Sequence, residues 1–233
     1  NGVTDGSSQR NRISPNSAQL FSLVAGFYDD FENGLSPSWE LRTPSRWSLD
    51  EQAGNSRLFL HTTDYGDYST KMAGEYAILR DSHLWGGEFR ILCEAKSNED
   101  LLANTAADYA VFFGFADDLN YYYVQWQPEN VKLHRIVDGE RTLFVEHYHK
   151  SDFERFLSLS VELTQDILRV SVDGKQVFTH DLSDLAPISG KLGIGSYNDS
   201  AWFDNVNAGP YDQGDNTPPA APSGLVIVTD EKM

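Results

Sequence analysis

The sequence predicts an all-β domain, a sandwich of two antiparallel sheets. Short segments with alternating apolar and polar residues recur about every 8–12 residues between turn-forming residues, a spacing typical of sandwiches. Asp-Gly pairs at 138–139 and 173–174 each join two such segments, and Asp-Gly favours the tight type I′ hairpin. A chain of 233 residues can bury a large core, so one domain with tails fits better than two domains.

The first part of the chain is predicted to form short strands separated by turns. Residues 1–19 are rich in Asn, Ser, Gly and Gln, which indicates a linker or N-terminal arm. We expect the sandwich to occupy residues 20–208. An acidic turn at 29–34 and a polar loop at 62–74 interrupt its early strands. These strands are placed at 20–25, 39–41, 47–49, 57–61, 76–80 and 87–95.

One helix and a run of further strands are predicted next. Residues 97–107 are the only helical candidate, because Asn98 could cap a helix that has Glu99 and Asp100 in its first turn. Glycines at 193 and 195 inside a strand indicate a close approach of a neighbouring backbone. The later strands are placed at 109–115, 121–127, 131–137, 141–147, 157–163, 167–172, 176–180, 191–196 and 202–206.

The charge balance argues against two classes of partner. Eighteen Lys and Arg residues against 35 Asp and Glu residues give a formal net charge of −17, whereas nucleic-acid binding needs a basic footprint. The same charge argues against docking on an anionic membrane, and no apolar run approaches the ~18–20 residues that span a bilayer. An acidic surface attracts cations, although solvation alone also accounts for it.

The chain has one cysteine, Cys93, which leaves no partner for an intrachain disulfide. Cys93 alternates with Phe89 and Ile91, so we expect a buried apolar side chain rather than a nucleophile. A domain of this size can be secreted without disulfides. Because the chain begins with Asn rather than Met, we expect it to be a piece of a longer protein.

The side chains best suited to bind a ligand lie on three middle segments, 89–96, 121–127 and 131–136. Aromatic rings can stack on the apolar faces of sugars, while charged and amide groups bond the hydroxyls. Alternation places polar and aromatic side chains of each segment on one face, and a sheet carrying all of them would form a concave carbohydrate platform. A solvated sheet face explains the same alternation, so both interpretations stay open. The predicted platform comprises Arg90, Glu94, Lys96, Tyr121, Tyr123, Gln125, Lys132 and His134. Core packing explains Trp39, Trp47 and Trp202 better, so we expect these three in the core and leave them out of the platform.

Two groups of motifs carry a resemblance to a known superfamily. One group is the hairpin around 173–174, Gly190-Lys191-Leu192-Gly193, and the closing Phe203-Asp204-Asn205-Val206. The other is Asp29-Asp30-Phe31-Glu32-Asn33-Gly34, then Trp39 and Trp47-Ser48-Leu49. Their order over residues 27–208 resembles the concanavalin A-like lectin/glucanase superfamily, in particular the laminin G-like and sugar-hydrolase-like jelly rolls of secreted bacterial proteins. The resemblance implies a jelly-roll sandwich and a polysaccharide or oligosaccharide partner.

The resemblance also implies a structural calcium that ties the first turn to the last strand. The matching ligands are Asp30 or Asp29, the backbone carbonyl of Gly34, and Asp204. Calcium takes six to eight oxygen ligands at about 2.3–2.6 Å, and these mix carboxylates with carbonyls. The alternative is that Asp204 accepts backbone N–H bonds at a strand end, since a buried carboxylate needs partners of some kind.

The residues do not support glucanase chemistry. Endo-glucanases of this superfamily carry the strand motif E-x-D-x-(x)-E, which the chain lacks, and retaining glycosidases need two carboxyls about 5–5.5 Å apart. A polysaccharide lyase needs a Tyr or His base with Arg and Gln near a uronate. Tyr123, Gln125, His134 and Arg90 supply those types without a recognisable lyase motif. We therefore expect a non-catalytic carbohydrate-binding module; a glycan-cleaving enzyme and a structural or adhesive spacer are the alternatives.

The end of the chain differs in composition from the sandwich. Residues 209–219 form a Gly, Asp and Pro linker, and 220–228 resemble the first strand of a fibronectin type III module, cut off at Met233. This arrangement implies neighbouring modules in the same chain and a secreted, extracellular protein. A disordered tail is the alternative. The sequence does not identify the glycan.

Overall fold

A computed structural model describes residues 26–61, 74–85, 87–185 and 187–211. Strands account for most of this part of the chain, together with three short 3₁₀ turns. The strands in chain order are β1 (Phe27–Asp29), β2 (Trp39–Leu41), β3 (Trp47–Gln52), β4 (Asn55–Leu60), β5 (Glu75–Leu79), β6 (Phe89–Ser97), β7 (Tyr109–Asp117), β8 (Asn120–Trp126), β9 (Asn130–Val137), β10 (Glu140–Tyr148), β11 (Leu157–Thr164), β12 (Ile167–Val172), β13 (Lys175–Asp181), β14 (Lys191–Ser196) and β15 (Ala201–Pro210).

These strands form two antiparallel sheets, as predicted. The eight-stranded sheet has the order β13-β12-β11-β6-β15-β4-β3, and β1 pairs with β15 beside this path. The seven-stranded sheet has the order β10-β9-β8-β7-β14-β5-β2. Most connections therefore either form a hairpin or cross from one sheet to the other. The last strand, β15, lies centrally in the eight-stranded sheet and pairs with both β4 and β6.

The core between the sheets is built by strict alternation along the strands. In β6 the residues Phe89, Ile91 and Cys93 point inward and are buried, while the intervening side chains are only partly covered. The rings of Phe89 and Phe113 meet across the sheets at 5.5 Å. Cys93 is buried, as predicted, and burial raises the pKa of its thiol to about 12.

A second aromatic layer covers the outer face of the seven-stranded sheet. Its members are as deeply buried as the core itself, although they point away from it: Tyr76, Phe112, Phe115, Tyr121 and Tyr123. The rings lie 4.8–6.5 Å apart, in stacked, tilted and edge-to-face arrangements. This layer gives the outer face a rigid floor, on which the pocket described below is built.

The hairpin turns and the strand glycines follow the sequence prediction. Asp138 and Gly139 have φ of 50° and 78°, and Asp173 and Gly174 have φ of 49° and 71°, as a type I′ turn requires. A Cβ atom on Gly195 would lie 2.2 Å from the carbonyl oxygen of Glu75. The close backbone approach predicted from that glycine is therefore present.

The helix predicted at 97–107 is not formed. Strand β6 continues to Ser97, and turns follow up to the start of β7. The Asp100 carboxylate accepts the Leu102 N–H at 3.0 Å, and the Asn104 side-chain oxygen accepts the Ala106 N–H at 3.2 Å. Asp and Asn side chains offer the backbone such local bonds in place of helical ones, and here the local bonds prevail.

Several predictions fall on parts of the chain outside the described residues. These are the N-terminal arm at 1–19, the strand at 20–25, the loop at 62–73 and the fibronectin-like segment at 220–233. Strand β15 continues past the expected end of the domain at 208. In the described part of the chain, no helix has the length and apolar character needed to cross a membrane.

Candidate functional site

A polar pocket of about 290 Å³ opens on the outer face of the seven-stranded sheet. It lies where β8, β9 and β10 meet the turns around residues 104–106 and 197–198. No carboxylate is among the described residues that line it. These residues, called the polar pocket below, are Asn104, Ala106, Gln125, Gln127, Lys132, His134, Arg141, Tyr197 and Asn198.

Strand pairing brings the polar side chains of this pocket together. In β8 the residues Tyr121, Tyr123 and Gln125 point outward, and Tyr122, Val124 and Trp126 point into the core. Gln125 pairs with Lys132 and Tyr123 pairs with His134 in the register of β8 and β9. Cross-strand partners share a face, and the His134 ring accordingly stacks on Tyr123 at 4.7 Å.

A hydrogen-bond chain fixes the orientation of His134. The Gln125 amide nitrogen donates to a carboxylate oxygen of Asp108 at 2.8 Å, so its amide oxygen faces His134. The His134 Nε2 lies 3.2 Å from that oxygen. Because an amide oxygen can only accept, Nε2 must carry the proton. The Nδ1 atom is then an acceptor, and it is buried without a hydrogen-bond partner among the described residues.

The imidazole is neutral over the physiological range. Burial lowers the pKa of His134 to about 3, and the positive charges of Arg141 and Lys132 act in the same direction. The neighbouring phenol is also neutral, because burial raises the pKa of Tyr123 well above its ordinary value. The floor of the pocket is therefore uncharged.

Two buried carboxylates anchor the pocket from below. Asp108 is fully buried and accepts bonds from the Ser196 hydroxyl at 2.7 Å and the Tyr197 N–H at 2.8 Å. Asp199 accepts the Asn104 amide at 2.6 Å and the Asp108 N–H at 2.9 Å. Burial, and then the charge of Asp108, raise the pKa of Asp199 to about 8. This pair ties the β14–β15 turn to the start of β7.

The amide of Asn198 closes this arrangement. With its nitrogen turned toward the two acids, it lies 3.0 Å from Asp108 and 3.2 Å from Asp199. Both carboxylates are then bridged by one side chain that also lines the pocket. The wall formed by residues 197–199 is consequently held by at least five polar contacts, which makes the pocket pre-formed.

Two positively charged side chains, Arg141 and Lys132, line the pocket. The Arg141 guanidinium lies over the Tyr197 ring, 4.9 Å from its centroid. Lys132 forms an ion pair with Glu146 at 3.2 Å. In the part of the chain that the structure describes, no carboxylate pairs with Arg141. The pocket is thus locally positive in a strongly acidic protein.

The structure divides the predicted platform between the two sheets, so the prediction of one shared face is wrong. Gln125, His134 and Lys132 line the polar pocket, and Tyr121 and Tyr123 lie beside it in the buried aromatic layer rather than exposed. The other three predicted residues project from β6 of the eight-stranded sheet. Alternation identifies the face of a strand but does not show which strands share a sheet, and this is the origin of the error.

The three β6 residues make contacts of their own on the outer face of the eight-stranded sheet. Arg90 pairs with Glu162 at 3.0 Å, and Glu94 accepts the Asn205 amide at 3.0 Å. The Lys96 ammonium lies 5.6 Å from the centre of the Trp202 ring. These contacts leave the three side chains partly exposed.

The tryptophans divide differently from the prediction. Trp39 and Trp47 are buried, which confirms the core role expected for them. Trp202 is only partly buried, stacks on Phe59 at 4.9 Å and donates its indole N–H to Asp50 at 2.8 Å. A second depression of about 310 Å³ lies beside Trp202 and Lys96. Trp202 is outward because the inward positions of β15 are its neighbours Ala201 and Phe203.

Some functional residues were not predicted. Arg141 is the cross-strand partner of Ile136, which packs with the second aromatic layer on the outer face of the sheet. The hairpin at 138–139 therefore places the Arg141 side chain on the same face as the pocket. Strand alternation could have identified Arg141. Asp108, Tyr197 and Asn198 carry no such signal, because they sit in turns whose side-chain directions depend on the packing of both neighbouring strands.

The residues predicted to bind calcium are partly bonded to the protein itself. Asp204 accepts the Asn55 amide at 2.9 Å and the Asn205 N–H at 2.8 Å, and Arg57 lies 3.6 Å away. Asp30 accepts the Glu32 N–H at 3.2 Å. In the described ranges, no group of three or more His, Cys, Asp or Glu side chains could hold a metal ion. Calcium at Asp30, Gly34 and Asp204 stays a prediction.

Comparisons with known proteins establish the fold. No protein-family model matches the chain, and no curated protein matches it. The carbohydrate-binding module CBM66 from Bacillus subtilis is similar in structure, with a TM-score of 0.55 and 16% identity over 74% of this chain and 95% of that one. A β-glucanase from Bacillus licheniformis has a TM-score of 0.54 and 12% identity, over 80% of this chain and 98% of that one.

A third similar structure is part of a larger protein. The GH43 protein BlXynB from Bacillus licheniformis, crystallised as a mutant, has a TM-score of 0.58 and 18% identity. The match covers 79% of this chain but 39% of that one. At these identities the similarity shows the fold alone. The chain is an all-β sandwich of two antiparallel sheets, a fold that it shares with these three structures.

Proposed function

We propose that this chain is a non-catalytic carbohydrate-binding module whose polar pocket takes a chain end or a short segment of a polysaccharide. The observation that carries the proposal is the pre-formed row Asp108–Gln125–His134, which fixes a neutral histidine in the pocket lining and leaves its buried Nδ1 without a partner among the described residues. Ligand pockets are about 300–1,000 Å³, so about 290 Å³ suits one or two sugar units. Amide and hydroxyl groups around it can bond sugar hydroxyls in both directions.

The electrostatics of the pocket favour binding over catalysis. A glycosidase needs two carboxyls at the scissile bond, and none of the described lining residues is a carboxylate. A catalytic base works best with a pKa near the working pH. The pKa of His134 is about 3 and that of Tyr123 is raised far above neutrality, so neither group is suited to exchange a proton at pH 7.

A glycan-cleaving enzyme is the second candidate. It is favoured by the similarity to the Bacillus licheniformis β-glucanase, which extends over almost the whole of that chain. The group types of a lyase are also present, since Tyr123, Gln125 and His134 are neighbours. The two candidates differ in one measurable respect: only the enzyme generates new chain ends.

The proposal also covers the location of the protein, its neighbouring modules and a bound calcium ion. We infer a secreted, extracellular, multimodular protein with a structural calcium that ties Asp30 and Gly34 to Asp204. The Pro-rich segment after residue 211 supports a linker to a further module. Asp204 is buried and Arg57 lies 3.6 Å from it, so a cation bound at this carboxylate would favour its ionised form.

The test is affinity electrophoresis on a panel of polysaccharides, with and without calcium, combined with detection of new reducing and unsaturated ends. We expect retention on at least one polysaccharide without new ends. His134→Phe keeps the ring stacked on Tyr123 but removes the acceptor, and it should reduce retention. His147→Phe, the same exchange on an exposed position outside the pocket, should not.

Each other outcome has a defined meaning. New chain ends would show that the chain is an enzyme rather than a binding module. Reducing ends alone would indicate a hydrolase, and unsaturated ends would indicate a lyase. Equal retention of wild type and His134→Phe would place the site elsewhere. If His134→Phe melts at a much lower temperature, Gln127→Ala, a change at the partly exposed rim, tests the same pocket without altering its buried floor.

A further inference from the structure

The charge around the polar pocket differs from that of the whole molecule. The chain carries a formal net charge of −17, yet the charged side chains lining the pocket are Lys132 and Arg141. The Lys132 charge is partly balanced by Glu146 at 3.2 Å. Arg141 faces the Tyr197 ring, and the described part of the chain provides no carboxylate for it. Beside a pre-formed pocket, an arginine that has no anionic partner within the described ranges is a group that a ligand anion can bind.

The second observation concerns the buried acceptor in the same pocket. His134 is 5% exposed, and its Nε2 proton is committed to the Gln125 oxygen. Its Nδ1 has no hydrogen-bond partner among the described residues. A buried acceptor without a partner is costly, so the site favours a ligand that brings a donor. A hydroxyl meets this need, whereas a carboxylate cannot, because both groups would be acceptors.

The two requirements together define the ligand. We propose, on the basis of the proposed function, that the polar pocket takes a uronic-acid residue of an acidic polysaccharide, with the carboxylate on Arg141 and a ring hydroxyl on His134 Nδ1. The guanidinium fork matches a carboxylate in a planar, two-point geometry. A neutral hexose satisfies the histidine but leaves Arg141 without an anion.

The lining around these two groups agrees with this orientation. The amides of Asn104 and Gln127 line the pocket and each donates one N–H within the protein, to Asp199 and to the Ala106 carbonyl. Each amide nitrogen has a second N–H that can bond a ligand hydroxyl. The carboxylates of Asp108 and Asp199 lie below the floor, where Gln125, Ser196 and Asn104 bond them. They are not among the lining residues, so they do not present a negative oxygen to the ligand.

The test compares polymers that differ only in the carboxylate. A polyuronate is immobilised alongside its carboxyl-reduced form, in which each uronate has become the corresponding neutral hexose. Affinity electrophoresis measures retention of the wild type, Arg141→Gln, Arg141→Lys and Arg90→Gln. Arg90 provides a matched control, because it carries the same charge but projects from the opposite sheet and pairs with Glu162.

We expect retention on at least one polyuronate and a loss of at least about tenfold on the reduced polymer, as a charge-assisted bond implies. Arg141→Gln should cause a similar loss, Arg141→Lys an intermediate one because the fork is lost, and Arg90→Gln none. Arg141 is exposed, so these variants should melt as the wild type does.

Two results would overturn the proposal in different ways. Equal retention on the native and reduced polymers, with Arg141→Gln unchanged, would refute the uronate and leave carbohydrate binding intact. Absence of retention on every polymer of the panel, neutral and acidic, would refute the proposed function as well. Retention on the polyuronate that Arg90→Gln weakens more than Arg141→Gln does would move the anion site to the other sheet.

Discussion

The buried pair Asp108–Asp199 should make the stability of the domain depend on pH in an unusual direction. In the folded protein the pKa of Asp199 is raised to about 8 from an ordinary value of 3.8. Between these values the folded chain holds a proton that the unfolded chain has released, so stability falls as the pH rises. Most buried carboxylates with ion-pair partners behave in the opposite way, since their folded pKa is lowered.

The size of this pH effect follows from the one extra proton that the folded Asp108–Asp199 pair holds relative to the unfolded chain. A difference of one bound proton changes the free energy of unfolding by about 1.4 kcal/mol per pH unit. Between pH 6 and pH 8 the folded chain still mostly holds the Asp199 proton, so the free energy of unfolding should fall by about 2 kcal/mol over this range. For a domain of this size, about 2–4 °C per kcal/mol gives a fall in Tm of about 4–8 °C.

The variant Asp199→Asn isolates this effect. Asparagine is uncharged and of the same size, but it cannot accept both the Asn104 and the Asp108 hydrogen bonds. We therefore expect a loss of about 1 kcal/mol at pH 5.5 and a disappearance of the slope above pH 6. The stability curves of variant and wild type should cross slightly above pH 6, because about 1.4 kcal/mol per pH unit cancels a deficit of about 1 kcal/mol within one unit, and the variant should be the more stable of the two at pH 8.5.

The assay is urea unfolding at half-unit intervals from pH 5.5 to pH 8.5, taking the difference between variant and wild type. Histidines and exposed acids contribute equally to both and cancel. Asp117→Asn is the control, because its exposed carboxylate has a lowered pKa and should give an offset that is constant above pH 6. If the difference for Asp199→Asn is equally constant, the carboxylates are both ionised at neutral pH and the reasoning is refuted.

Three further predictions concern other parts of the molecule. Because the pKa of His134 is about 3, retention on the preferred polysaccharide should be constant between pH 5 and pH 8; a loss centred on pH 6.5 would mean that the histidine titrates normally. Gly195→Ala would place a Cβ 2.2 Å from the Glu75 carbonyl and should destabilise the domain by about 1–3 kcal/mol in urea unfolding, whereas an unchanged midpoint would show that β5 and β14 can separate. Calcium should raise the Tm of the wild type and not that of Asp204→Asn in differential scanning fluorimetry; equal curves with calcium and with chelator would remove the metal from the account.

The sequence was sufficient to predict those features that depend on local pattern. Alternation gave the correct inward and outward residues of β8, as the division of Tyr122 from Tyr121 and Tyr123 shows. The two Asp-Gly turns were predicted from φ requirements alone. Both features are set by neighbours in the chain, so no tertiary information is needed.

The features that were mispredicted depend on which strands become neighbours. Arg90 and His134 were expected on one face because each is an outward residue, but β6 and β9 belong to different sheets. Trp202 was expected in the core, whereas the register of β15 turns its neighbour Phe203 inward instead. Register is fixed by packing over the whole sheet, and a single strand does not reveal it.

The polar pocket, too, could be predicted from the sequence only where its residues lie on strands. Its predicted members, Gln125 and His134, lie on strands, and alternation placed them correctly. Its supporting carboxylates lie at a strand start and in a turn, 91 residues apart in the chain. A contact between Asp108 and Asp199 becomes visible only after β7 and β14 are known to pair.

The most direct test of the central claim is isothermal titration calorimetry of the wild type and His134→Phe with an oligosaccharide of the retained polysaccharide, followed by analysis of the sample for new chain ends. We predict one binding site per chain, at least a several-fold weaker Kd for the variant, and an intact oligosaccharide at the end of the titration. An unchanged Kd for a variant that melts like the wild type, or cleaved product in the cell, would contradict this prediction.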